Sequence, residues 1–352
     1  MLTRRNSILD LSLKELTAFF KEAGQPGYRA EQVMRWLYMC QADNFDDMTN
    51  ISKDTRAMLK EVFGLERLKI VREQVSRDGS RKFLFELHDG EQIETVLIPE
   101  KDHYTICIST QAGCAQNCLF CLTAKDGLRR NLTQGEIVSQ VRDIAKIAAD
   151  ADDSKPLTNI VFMGMGEPLD NYDNVVRAID VLTNNNWGLK FAARRLTVST
   201  AGVTPRLYDL CRDTKVKLAV SLNAADDKTR SALMPINKTY PLEMLVRACR
   251  DYLLPKGKRI TFEYILMQGV NDAPEDAEKL AKLLRGVKAK INLIPFNEHA
   301  GVAFKRPSAE AIARFDEILV KHNYTVMVRY SKGLDISAAC GQLRSLAGSC
   351  TP

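Results

Sequence analysis

Long apolar runs are missing from this sequence. None approaches the ~20 residues that a membrane-spanning helix requires. The N-terminal stretch MLTRRNSILDLSLKEL carries two arginines but no apolar segment of the kind a secretion signal needs. These absences exclude a spanning or exported class and leave a soluble, cytoplasmic protein with no membrane partner as the expectation. A large excess of one charge is missing too. The net charge is +6, with 45% hydrophobic and 27% charged residues, which permits nucleic-acid binding without demanding it. Histidine is scarce, with 4 in 352 residues, and His103 is the nearest one ahead of the cysteine-rich segment. The length accommodates one large domain and a small one.

Cysteine, by contrast, is plentiful, with 9 residues. In a large cytoplasmic chain that number argues for metal or redox chemistry and against a disulfide framework. Four of them fall in CISTQAGCAQNCLFC, residues 107–121. Cys114, Cys118 and Cys121 are spaced C-x3-C-x2-C behind Gly113, while Cys107 stands apart ahead of them. Structural zinc normally takes four protein ligands, so a zinc knuckle here would need a distant residue to complete it. A [4Fe–4S] cluster also usually takes four cysteines. Held by three, it has an open iron, where a substrate or cofactor binds. Spacing alone leaves both readings open.

The chain divides by pattern. Residues 1–65 read as a small helical domain: LSLKELTAFFKEAG and ISKDTRAMLKEVFGL are amphipathic, and YRAEQVMRWLYM puts Val33, Trp36 and Leu37 on one face. Residues 66–104 alternate apolar and polar residues between DG turns at 78–79 and 89–90, which predicts an antiparallel β extension. From 105 to 342 strand-like runs (TICIST, NIVFMGMG, RLTVST, KLAVSLNA, RITFEYILM, KINLIPFN) alternate with helical ones, which predicts an α/β core with a parallel sheet covered by helices. TVMVRYS can add a last strand, and residues 343–352 read as a frayed tail. In such barrels chemistry sits at the C-terminal strand ends, where the cysteine run falls. Gly166 and Glu167 in GMGEP, Ser199, Ser221, Leu222, Asn223 and Asn297 fall at other strand ends. Each small polar residue taken singly is more often a loop cap; their recurrence at successive strand ends is the signal.

The C-x3-C-x2-C run after the first barrel strand, with Phe120 just before its last cysteine, resembles the radical S-adenosylmethionine (SAM) superfamily. The resemblance implies a (β/α)6 partial barrel, a [4Fe–4S] cluster held by Cys114, Cys118 and Cys121, and SAM chelated by the open iron. It implies SAM contacts from Gly166, Glu167, Ser199, Ser221, Leu222, Asn223 and Asn297. The whole chain is similar to the RlmN family, through YRAEQVMRWLY, FDDMTNIS, IETVLIP, CISTQAGC, CLFC, GLRRNLTQGEIV, FMGMGEPLDN, RRLTVSTAGV, SLNA, LMPINKTYP, INLIPFN and DISAACGQL, which occur in order. That family methylates C2 of adenosine in 23S ribosomal RNA and in some tRNAs.

The family resemblance implies roles that composition does not. Cys340 is the methyl carrier, whereas its residues alone suggest an inert core thiol. Cys107 is its resolving partner, which leaves a Cys107–Cys340 disulfide after turnover. Glu94 lies near the substrate adenine with a proton-handling role, although a glutamate on an exposed strand is ordinarily solvated. C2 of adenine is electron-poor and cannot attack a SAM methyl group, whereas a carbon radical can add to it. The implied cycle uses two SAM molecules. One methylates the Cys340 thiolate; the other is cleaved to a 5′-deoxyadenosyl radical that takes hydrogen from that methyl group. The methylene radical adds to C2 and joins protein to RNA until Cys107 attacks the Cys340 sulfur. An external electron donor of flavodoxin type and a thiol reductant complete the cycle.

Arg129, Arg130, Arg194, Arg195, Lys256, Lys258, Arg259, Lys305 and Arg306 are candidates for an RNA backbone track, although each alone reads as a solvated charge. Cys40, Cys211 and Cys249 lie in helical stretches and read as packing residues; Cys350 has no assigned role. Nothing in the sequence demands a dimer, so a monomer is expected. Two rival readings remain: the sister Cfr type, which methylates adenosine C8 with the same cysteines, and a non-enzymatic zinc or iron–sulfur RNA-binding module. GMGEPLDN and NLIPFN favour the RlmN pattern over the Cfr pattern. The module leaves Cys107, Cys340 and the polar strand ends without a purpose.

Overall fold

The computed structural model describes residues 6–151, 154–299 and 302–344. Most of the expected tail and Cys350 lie outside that range. The N-terminal residues form three short helices, α1 (Leu13–Glu22), α2 (Arg29–Met34) and α3 (Lys53–Val62). Ser12 and Glu15 cap α1 reciprocally: the Ser12 hydroxyl accepts from the Glu15 N–H at 3.2 Å, and the Glu15 carboxylate accepts from the Ser12 N–H at 2.7 Å. Ser52 caps α3 in the same sense. Val33 and Leu37 are fully buried as the periodicity requires, while Trp36 is half-buried and donates to Asn50.

Ten strands make one sheet: β1 (Lys69–Val75), β2 (Arg81–Glu86), β3 (Gln92–Pro99), β4 (Tyr104–Cys107), β5 (Leu157–Phe162), β6 (Leu196–Thr200), β7 (Lys217–Ser221), β8 (Ile260–Leu266), β9 (Ala289–Pro295) and β10 (Thr325–Val328). Their order in the sheet is their order in the chain, and β1 and β10 are its two ends. β1 to β4 pair antiparallel, and β4 to β10 pair parallel. Each parallel step is made by a helical crossover, beginning with Gln134–Ala151 and ending with Ala309–Lys321, which is the right architecture for strands buried on both faces. The antiparallel extension is thus continuous with the barrel sheet. One apolar core runs from Ile8 to Leu343. Arg67 pairs with Asp143 at 2.8 Å, and Gln134 donates to the Leu9 carbonyl at 2.9 Å, so the helical domain is fastened to the first crossover helix.

Two features position the site. The loop after β4 is closed by a short ribbon, Gln111–Gly113 against Leu128–Asn131. After β10 the chain returns across the open sheet to the extension as a strap, residues 332–344. Asp78 accepts from the Gly333 N–H at 2.7 Å, Asp335 from the Ser76 hydroxyl at 2.5 Å and the Arg77 N–H at 3.1 Å, and the Ser337 carbonyl from Lys82 at 3.2 Å.

Gly113 opens the cysteine loop with φ +78°, and a Cβ there would lie 1.9 Å from the Gly127 carbonyl oxygen. A left-handed backbone costs a side-chain-bearing residue about 1–3 kcal/mol, and this clash adds to it. Gly113→Ala is therefore expected to lower the urea midpoint and to displace the loop that carries Cys114, Cys118 and Cys121. An unchanged midpoint and undiminished iron content would contradict this placement.

Candidate active site

Register decides which side chains share the inner face of the barrel. Lys82 stands opposite Val96, and Val96 opposite Cys107. With side chains alternating along a strand, Lys82, Glu94 and Cys107 share one face. On the far side Ser221 is in register with Glu263, Glu263 with Asn292, and Asn292 with Met327. The strap brings Cys340 over this face. The Gly341 carbonyl accepts from the Leu122 N–H at 2.7 Å, and the Leu343 carbonyl from the Thr123 hydroxyl at 2.6 Å, so Cys340 sits beside the end of the cysteine loop. Gly341 has φ +81° and an added Cβ would meet the Phe120 carbonyl at 3.2 Å, a close approach that glycine permits.

The thiols sense one another. Cys340 is accessible to water, yet protein surrounds it closely; burial is the leading cause that pushes its thiol up to about 11, with Glu263 and Cys121 adding and Arg329 opposing. It therefore lines a recess, not the outer surface. Cys107 is buried; desolvation raises its thiol strongly, and the neighbouring Cys340 and Glu263 raise it further. Cys340, Cys107, Cys121, Glu263 and Arg329 thus share one recess. Burial pushes Cys114 up to about 12, with Cys121 adding. Cys118 is raised by burial, then by Cys121 and Cys114, and lowered by Arg230.

Among the described residues no three His, Cys, Asp or Glu side chains converge tightly enough for a single ion. Three cysteines on one loop, which repel one another as thiolates and feel the Glu167 carboxylate nearby, suit a cluster in which each thiolate takes a different iron. Around the GMGEP loop the backbone is packed without slack. A Cβ on Gly166 would lie 2.5 Å from Gln111, and one on Gly164 would lie 2.7 Å from Ile108 and Ser109.

The strand-end residues divide. Glu167 is buried and its carboxylate accepts from Leu169 N–H at 3.0 Å and Ala201 N–H at 2.7 Å, so it joins two strand ends while burial raises its pKa to about 7. Asn223, at φ +58°, caps β8 by accepting from Ile265 N–H at 2.9 Å, and Asn297 donates to Ser331 at 2.8 Å. Ser199 is buried and Ser221 half-buried on the inner face, and Leu222 is buried beside them. Asn223 and Asn297 thus act at least as caps, as the residue-level expectation for single polar strand ends has it.

Glu94 departs from the expectation of a solvated strand residue. It is buried, pairs with Lys82 at 2.9 Å, and accepts from the Arg344 N–H at 2.8 Å. Burial raises its pKa and Lys82 opposes the rise. Cys40 also departs from the packing expectation: it is exposed at the end of the π-turn Arg35–Met39. Cys249 is buried as expected, and Cys211 is half-buried against Leu253.

The sequence reading missed four residues. Arg230 is fully buried and donates to the carbonyls of Ala201 at 2.6 Å and Leu222 at 3.0 Å, drawing the ends of β6 and β7 together near Cys118; desolvation lowers its pKa to about 10. Lys82, Glu263 and Arg329 were passed over as strand residues. A charge inside an apolar strand, as in ITFEYIL, was the available signal. Two concavities lie apart from the recess: about 660 Å³ between α1 and helix Tyr172–Thr183, and about 330 Å³ lined by Gln116 of the cysteine loop and Tyr240.

Residues 6–65 match the ribosomal RNA large subunit methyltransferase N-terminal domain, and residues 108–284 match the radical SAM superfamily. The chain is 60% identical over 316 residues, 90% of its length and 84% of the relative's, to the dual-specificity RNA methyltransferase RlmN of Desulfosudis oleivorans. It is 48% identical to that of Syntrophus aciditrophicus, over 97% of both chains. A radical SAM methyltransferase from Sphaerobacter thermophilus superposes with a TM-score of 0.90 at 48% identity, covering 96% of this chain and 99% of that one.

The Lys82–Glu94 pair generates a prediction. Lys82 favours the ionised carboxylate, so Lys82→Met raises the Glu94 pKa further and shrinks its ionised fraction at neutral pH. Where Glu94 acts as a base, the acidic limb of the pH–rate profile should move to higher pH, and Lys82→Arg should restore it. A profile unmoved by Lys82→Met would separate Glu94 from proton transfer.

Proposed function

The chain belongs to the RlmN family of dual-specificity RNA methyltransferases, and from that premise we propose that its barrel methylates C2 of adenosine in 23S ribosomal RNA and in tRNA, with Cys340 as carrier and Cys107 as resolving thiol. It is a radical SAM enzyme, and its cofactors are a [4Fe–4S] cluster and SAM. The family membership removes the non-enzymatic module, and the RlmN relatives favour C2 over C8. The observation that supports the residue roles is the shared recess of Cys107, Cys340 and Cys121.

Cys114, Cys118 and Cys121 would hold the cluster, and when bound it supplies one electron to SAM and takes one back as the RNA adduct resolves. All else falls to the chain. The GMGEP loop and the ends of β6, β7 and β9 frame the SAM pocket through Gly166, Glu167, Ser199, Ser221, Leu222, Asn223 and Asn297. Cys340, as a thiolate, attacks the methyl carbon of one SAM and releases S-adenosylhomocysteine. Glu94 accepts the proton that leaves C2. Cys107 bonds to the Cys340 sulfur as the sulfur–carbon bond breaks, and the released carbon takes up a proton. Methylated Cys340, the Cys107 thiol, the C2–H and one SAM become a disulfide, methyl-RNA, methionine, 5′-deoxyadenosine and a proton. No net electron is consumed, and an external dithiol reductant regenerates both thiols.

The electron donor is of flavodoxin type in this reading. One chain contains every assigned role, so a monomer suffices. No helix among the described residues is long and apolar enough to cross a membrane, and a ribosomal RNA substrate fits the cytoplasm.

Cys107→Ala should still add a methyl group to Cys340 and still join to RNA, but release no product. Denaturing gels should show an RNA-linked protein band that wild type resolves. Cys340→Ala should give neither methyl-RNA nor the band. Multiple turnovers by Cys107→Ala would overturn the resolving role.

A further inference from the structure

The helices of this barrel leave one flank bare. On β10, Val326 and Val328 pack toward the core, while Thr325 and Met327 on the inner face, and Arg329 just past the strand, are exposed. The interior is therefore open to solvent along the last strand. Around that opening the strand starts are cationic. Arg194 and Arg195 immediately precede β6; Lys217 begins β7, in register with Thr197 of β6. Lys258 precedes β8, and Lys290 on β9 is in register with Thr261 of β8 and Thr325 of β10.

These cations form one series. Burial, then Lys290, Arg195, Lys258 and Arg194, lower the pKa of Lys217. Burial and Arg329 lower that of Lys290, and Arg329 in turn acts on Cys340. The series runs from the outer rim, through Lys217 and Lys290, to the carrier cysteine. Two carboxylates lie within reach. Glu263 is buried behind Arg329 and Lys290, and Asp102 is held by His103 at 2.7 Å. Among the described residues none of Arg194, Arg195, Lys217, Lys258, Lys290 and Arg329 makes an ion pair. Six cations against two carboxylates leave an excess of like charge, which opposes folding and which a polyanion relieves.

We propose that Arg194, Arg195, Lys217, Lys258, Lys290 and Arg329 form the phosphate track along which RNA enters the open flank of the barrel and delivers an extruded adenosine to Cys340. The track contacts the backbone, not base edges, so it adds affinity without sequence choice. Only an unstacked base passes into the interior, which favours loop or bulge adenosines over paired ones. This rests on the methyltransferase reading for its substrate, but the binding it describes is measurable without turnover.

The test is a triple variant, Arg195→Ala, Lys217→Ala and Lys290→Ala, against a control with equal charge loss at exposed positions, Lys282→Ala, Arg314→Ala and Lys321→Ala. The probe is a synthetic RNA hairpin with one unpaired loop adenosine, titrated by fluorescence anisotropy over a salt series. The triple variant should bind about tenfold or more weakly, and its log–log salt slope should flatten by roughly 2 to 3, close to one per lost phosphate contact. Its Cys340 should still be methylated by SAM alone, which shows that the fold and pocket persist. Should the triple variant lose that loading, Lys217→Ala alone decides, with a slope change of about one. Affinity and slope equal to wild type, or losses matched by the control, would overturn the track. If wild type binds the hairpin in this salt-dependent way but never methylates it, the methyltransferase reading fails and the track stands.

Discussion

The geometry of this protein hangs on one return of the chain. A mixed sheet left open between β1 and β10 would leave Cys340, beyond the last strand, far from Cys107 on β4. Residues 332–344 close that distance. Asp78 and Asp335 fix the strap at one end, Lys82 holds its middle, and Leu122 and Thr123 bind the carbonyls of Gly341 and Leu343 at the other. Each bond is modest, on the order of 1 kcal/mol net. Together they specify where a single sulfur sits relative to a second thiol and to the cysteine loop. Gly341 matters for the same reason, because a side chain there would push the strap off Phe120.

Electrostatics set the reactivity of what the strap brings together. Burial raises the thiols of Cys107, Cys114, Cys118 and Cys340, which favours the protonated form of these four at rest. That protects them from adventitious oxidation and leaves activation to the incoming cations, the cluster irons and the sulfonium of SAM. Arg230 and Arg329 are the fixed counter-charges, one near Cys118 and one near Cys340. Lys82 does the corresponding work for Glu94, while also binding the Ser337 carbonyl. One ammonium therefore links the buried Glu94 carboxylate to the strap that carries Cys340.

The sequence carried much of the fold because parallel strands buried on both faces are apolar runs with little ambiguity. All six runs read as barrel strands, and the seventh at TVMVRYS, are strands. Their ends were less legible: GMG after β5 and LNA after β7 are loops, since glycine and a left-handed asparagine turn the chain there. At the site, spacing singled out Cys114, Cys118 and Cys121, which are local in sequence, as candidate ligands of one centre. The nearness of Cys107 and Cys340 was not legible from residues, because over two hundred residues of barrel separate them. It entered by family likeness, and the strap supplies its physical cause. Asn223 and Asn297 illustrate the opposite limit. A polar residue at a strand end can serve a ligand or its own backbone, and only coordinates show the hydrogen bonds it already makes. Arg230 had no signal at all, since an arginine in a short helix reads as solvated until its carbonyl partners are seen.

The central claim is that Cys340 carries the methyl group. The protein would be reconstituted anaerobically with iron and sulfide, given SAM without RNA, and digested for mass analysis of the Cys340 peptide. The account predicts a single added methyl group on Cys340. An unmodified Cys340 beside an intact cluster would contradict it, leaving the recess as a shared fold without the carrier chemistry.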